Sequence, residues 1–153
     1  VYPTDEGLLL LATIAVSLDD GLAAEAAISR LLASRPLAAL EMNARYLLAL
    51  LDANQGNLET AKEAARNLIQ EFPLHVQSYV LLGHLLLQDG NPENAEIVYQ
   101  LLLKALEVVE SELLRIETDL KTASNRDARS TLLYDQQRRL TERQWLAALL
   151  EGR

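Results

Sequence analysis

The chain has no cysteine among its 153 residues. Disulfides, thiolate metal sites and cysteine nucleophiles are therefore excluded. A cytoplasmic setting is slightly favoured on that ground, and a periplasmic one stays open. Aromatic residues are scarce, with five Tyr, one Trp and one Phe. Val, Ile and Thr are too few and too scattered to mark strands. Long apolar runs are also missing. The stretch Gly7 to Leu18 reads GLLLLATIAVSL, about half of the roughly 20 apolar residues a spanning helix needs. Asp5 and Glu6 precede it where a signal peptide would carry basic residues. It is expected to be a buried first helix, with no membrane span in this segment. The chain opens on Val rather than Met, which reads as a domain cut from a longer chain or a processed product. Attachment to a membrane through a missing N-terminal segment is one form of that expectation.

Positive charge is lacking in one region only. Residues 1–103 hold five Lys and Arg against thirteen Asp and Glu, and residues 104–153 hold nine of each. The whole net charge of −8 thus sits in the first two-thirds. Nucleic acid is excluded as the main partner, because phosphate binding needs clustered cations.

What is present is leucine and alanine, both good helix formers, and they repeat. Gly56 and Gly90 stand 34 residues apart, as do Asn57 and Asn91, Ala61 and Ala95, and Leu48 and Leu82. Ala24, Ile28, Leu31 and Pro36 precede Ala61, Ala65, Leu68 and Pro73 by 37. A fixed interval over several landmarks predicts stacked supersecondary units. Each unit reads as two helices. In the third, an apolar face over Val76–Gln88 ends at Gly90, and Pro92 can open the following helix. Gly56-Asn57 makes the corresponding turn in the second unit and Asp19-Asp20-Gly21 in the first.

These residues resemble the tetratricopeptide repeat, whose pattern is W-x2-L-G-x2-Y, then A-x3-F, then P over 34 residues. Tyr79, Leu82, Gly83, Leu86, Ala95 and Tyr99 carry the likeness in the third unit. Leu48-Ala49, Gly56, Ala61 and Pro73 carry it in the second, where Arg45, Asp52 and Ala65 depart from the pattern. Leu11-Ala12, Ala24 and Pro36 remain in the first. The resemblance implies an all-α, right-handed solenoid of three helical hairpins, about 5–38, 42–75 and 76–107. Gly83 and Ala95 would be small where helices cross. A C-terminal helical extension or cap occupies 108–153.

The resemblance also implies that the first helix of each hairpin lines a concave groove. Asn43, Tyr46, Leu50 and Asn54 would bind a partner from the second hairpin, and Gln77, Val80, His84 and Gln88 from the third. Thr13 and Ser17 would extend the surface. Some relatives clamp the terminal carboxylate of a chaperone tail with Lys, Arg and Asn. No Lys or Arg stands among the groove positions, so a carboxylate would lack a charge-assisted bond there. Amides and aliphatics suit an extended peptide backbone or the apolar face of a helix.

Beyond the repeats, an apolar stripe from Val98 to Leu120 predicts one helix over about 94–122. A turn follows, with Asn125 or Asp127 as N-cap, and a last helix runs over about 128–150. Residues 121–143 hold six basic against three acidic residues. This helix pair would cap the last repeat or, as a projecting arm, dock a partner or a second copy, the latter giving a homodimer. Nothing points to catalysis. His75 and His84 lie nine apart and cannot chelate from one helix face. Asp19-Asp20-Gly21 lacks the ligand series of a calcium loop. No metal, cofactor or enzymatic activity is expected. The function implied is a protein-interaction scaffold within a larger complex. The alternatives are a small assembly chaperone for a secretion-type client and a regulatory domain of a longer, membrane-attached protein.

Overall fold

The computed structural model describes residues 3–152. It contains seven helices and, among the described residues, no strand. They are α1 (Asp5–Ser17), α2 (Gly21–Ala33), α3 (Ala38–Asn54), α4 (Leu58–Glu71), α5 (Val76–Gln88), α6 (Asn94–Thr122) and α7 (Arg126–Glu151). The all-α, helical-hairpin class read from the sequence is the one observed. The helices form two compact units, one ending at Phe72 and the other beginning at Pro73.

In the first unit α1 pairs with α2, α3 pairs with α4, and α3 packs on both α1 and α2. Small residues make that approach close. Ala12 and Ala24 are fully buried and Ala15 and Ala27 nearly so. Leu47 of α3 enters between Ala12, Ala27 and Ile28, while Leu51 meets Ala15 and Ala24. Ala44 closes the other end against Leu8 and Leu31. Each buried Leu contributes about 1.5–3 kcal/mol relative to exposure. Side-chain caps begin the first hairpin's helices. Thr4 Oγ1 accepts from Gly7 N–H at 3.0 Å and Asp20 Oδ1 from Ala23 N–H at 3.1 Å.

Two of the turns share one conformation. Gly56 and Gly90 both have positive φ, 83° and 69°. Each N–H donates to the carbonyl three residues back, at 3.1 and 3.2 Å. Glycine adopts this region at no steric cost. The first turn does the same with Asp19, φ 58°, so the residue in the left-handed region there is Asp19 and not Gly21.

The first helix departs from expectation. It buries Leu8, Ala12 and Ala15 along one face, but Leu10, Leu11 and Ile14 are 61%, 54% and 47% exposed. An apolar run does not fix how many sides of a helix find neighbours.

In the second unit α5 is the core. Val76, Ser78 and Leu85 are fully buried, and Tyr79, 2% exposed, donates its hydroxyl to the Pro73 carbonyl at 2.8 Å. The 29-residue α6 packs on α5, and α7 packs on α6. Val109, Ile116 and Leu146 are fully buried. Asn125 Oδ1 caps α7, accepting from Asp127 and Ala128 N–H at 2.8 and 3.3 Å. Ala95 does not sit at a helix crossing; it is exposed. Pro92 and Glu93 stay in a turn in which Asn91 Oδ1 accepts from Glu93 N–H at 3.0 Å. The 34-residue period would start α6 at 92, whereas it starts at Asn94. The crossing therefore passes to Val98, whose Cγ1 would stand 3.4 Å from a Cβ on Gly83.

Candidate partner-binding faces

Asn43, Tyr46, Leu50 and Asn54 follow one another by three, four and four residues along α3. Gln77, Val80, His84 and Gln88 do the same along α5. At 3.6 residues per turn, each quartet lies within an arc of about 80°. The structure brings each quartet onto one helix face, the first in the first unit and the second in the other. None is buried. Asn54, His84 and Gln88 are exposed and the other five half-buried.

Their local chemistry differs in ways the sequence did not display. Burial raises the Tyr46 phenol above its ordinary pKa range. Leu50 lies partly against the cluster around Leu47. His84 Nε2 and Gln88 Nε2 are 3.0 Å apart. The amide there is the donor when that ring nitrogen carries no proton. Thr13 and Ser17 of α1 are exposed, but their hydroxyls donate to the carbonyls of Leu9 and Thr13 at 2.8 and 2.9 Å. They offer a ligand weaker donors than the amides of the other two helices.

The nearest cation on α3 is Arg45, which stands where the third repeat has Tyr79. Its guanidinium lies 5.7 Å from the centre of the Phe72 ring. It also bonds Glu71 and sits 3.9 Å from Glu41. The hydrogen bond and charge of Arg45 hold the Glu71 carboxyl below its usual range. A guanidinium paired with carboxylates and lying over a ring is not free to clamp a carboxylate.

The second unit contains a buried polar cluster that the sequence reading missed. Arg139 and Glu142 of α7 are 7% and 8% exposed and pair at 2.9 Å. Arg139 also donates to the Leu74 carbonyl at 3.3 Å, tying α7 to the approach to α5. His75, 8% exposed, holds its Nδ1 2.6 Å from the Ser78 hydroxyl. Burial, with Arg139 and Arg138 adding to it, lowers its pKa to about 4. The sequence signal for the pair was an i, i+3 Arg–Glu spacing on α7. Among the described residues no three His, Asp or Glu side chains converge as a metal site would. Among them, too, no helix is long and apolar enough to cross a membrane.

The helical hairpins and their turns define a repeat protein. Residues 46–107 match the family model described as Tetratricopeptide repeat, so that segment is similar to that family. The match contains seven of the eight candidate residues, Asn43 lying just outside it. This family serves protein–protein interaction rather than catalysis. No curated protein and no solved structure gives a significant match to the chain.

Proposed function

We propose that the chain is a non-catalytic scaffold holding a peptide or amphipathic helix of another protein, as part of a larger complex. The contacts are Asn43, Tyr46, Leu50 and Asn54 on α3, and Gln77, Val80, His84 and Gln88 on α5. The observation that carries this reading is the recurrence of an unburied amide-and-aliphatic face at the same spacing on the first helices of two successive hairpins. Amides satisfy a peptide backbone, and the aliphatic and aromatic members give it area to bury. A charged terminus is disfavoured as the ligand, since neither quartet holds a Lys or Arg and Arg45 of α3 is already paired.

Under this reading α6 and α7 close the array. Leu133, Tyr134 and Trp145 are exposed on α7 and would suit the docking of a partner or a second copy, the alternative role of these helices.

The test uses exposed positions, because a carboxylate at half-buried Tyr46 would itself cost stability. Asn54→Glu and His84→Glu together should abolish co-purification of the partner from the native source with unchanged helical circular dichroism. Retention of that partner at the wild-type level would move the site elsewhere.

A further inference from the structure

The last helix is held unlike the others. Of its 26 residues α7 buries three, Arg139, Glu142 and Leu146, whereas α5 buries eight of 13. Leu132, Leu140 and Leu150 are half-buried, and most of the remainder is exposed. With one large apolar side chain fully covered, the seating of α7 leans on polar contacts, and these converge on the start of α5. Arg139 reaches the Leu74 carbonyl and pairs with Glu142, whose second oxygen is buried without a hydrogen-bond partner. The next residue along, His75, is buried and joined to the fully buried Ser78 hydroxyl.

Positive charge acts on that ring. Arg138 and Arg139 of α7 both bear on His75, while Glu142 of the same helix is paired with Arg139. From α6, which packs on both α5 and α7, Glu107 bears on Tyr79 of α5. A proton taken up by His75 therefore places a third cation where water reaches poorly. The protonated ring is a donor at both nitrogens, so the Ser78 hydroxyl can then only accept. Both changes work against the contacts that seat α7, and every group involved belongs to the second unit.

We propose that α7 is an acid-released strap: proton uptake by His75 sets like charge against Arg138 and Arg139 and lets α7 leave α5 and α6 while the first unit stays folded. Burial, with the two arginines adding to it, holds the His75 pKa at about 4 in the seated state. With α7 released the ring returns towards its ordinary value near 6.5, so the released state binds the extra proton. Seating is at full strength above about pH 6.5 and weakens as pH falls towards 4, by at most about 300-fold. Release uncovers Ile116 of α6, which is otherwise fully buried. The strap stands without the α3 and α5 partner faces.

Trp145, the one tryptophan of the chain, neighbours Leu146 on α7 and reports its seating. The intact protein is followed from pH 7 to pH 4 by acrylamide quenching of Trp145, by far-ultraviolet circular dichroism, and by hydrogen–deuterium exchange corrected for the intrinsic rate at each pH. Quenching and α7 exchange should rise together, the exchange by about tenfold or more and at most about 300-fold. Over the same range α3 and α4 should keep their protection and the chain its helicity. His75→Gln should hold α7 near its pH 7 behaviour. Arg138→Gln, at an exposed position, should reduce the rise, because one of the like charges is gone. The proposal is overturned by the same rise in His75→Gln, by wild-type α7 exchange that does not change down to pH 4, or by α3 and α4 losing protection in step with α7. If His75→Gln does not fold, Arg138→Gln decides, and a rise equal to wild type overturns the proposal.

Discussion

Arg139 and Glu142 carry opposite charges in a place where water reaches neither well, at 7% and 8% exposure. Glu142 Oε1 is buried without a hydrogen-bond partner, so the pair is incompletely compensated even when intact. Arg139→Met leaves the carboxylate without its countercharge, at a cost of about 3–5 kcal/mol. Leu74 is 49% exposed, so water can satisfy the carbonyl that Arg139 releases. Glu142→Leu strands the guanidinium and should cost about 3 kcal/mol. The double variant removes both charges and the orphan oxygen while keeping the volume. It should lie within about 1 kcal/mol of wild type, or above it. Urea unfolding followed by helical circular dichroism on all four proteins closes the cycle. The singles should shift the midpoint strongly and the double should restore it. A double variant as unstable as the sum of the singles would refute the reasoning.

Further expectations rest on other local features. Gly56→Ala and Gly90→Ala place a Cβ in open space at positive φ. Backbone strain of about 1–2 kcal/mol, less about 0.4–1 kcal/mol gained through the unfolded chain, should destabilise each modestly in thermal melts. Gly83→Ala should instead be neutral or stabilise by up to about 1 kcal/mol, since its Cβ would meet only Val98, at 3.4 Å. His75 has its folded pKa depressed to about 4, so the unfolded state binds the extra proton. Stability should fall as pH drops from about 6.5 towards 4, by at most about 3 kcal/mol, and His75→Gln should flatten that window in pH-dependent unfolding. Deleting residues 124–153 uncovers Ile116, which is fully buried. The truncated protein should melt earlier or change oligomeric state in sedimentation; an unchanged monomer with the same melting point would dismiss a capping role for α7.

The legible parts of this fold were those governed by one helix's own period. The bounds Val76–Gln88 and 94–122 follow from apolar spacing that Gly and Pro do not interrupt, and they agree with α5 and α6. The shared conformation of Gly56 and Gly90 follows from the only residue type that enters that region freely. What failed depended on neighbours. Ala95 holds its place in the repeat but loses its burial, because the Asn91 turn delays α6. Leu10, Leu11 and Ile14 read as core, yet α2 and α3 both pack on the face of α1 that carries Leu8, Ala12 and Ala15. For the binding faces, spacing placed both quartets on single helix faces. Tyr46's burial, the His84–Gln88 contact and the stacking of Arg45 on Phe72 depend on side-chain packing that periodicity does not encode.

Hydrogen–deuterium exchange of the protein with its co-purified partner tests the account most directly. The account predicts slowed exchange across Asn43–Asn54 of α3 and Gln77–Gln88 of α5 on binding. Protection confined to α6 and α7, with α3 and α5 exchanging as in the free protein, would contradict it.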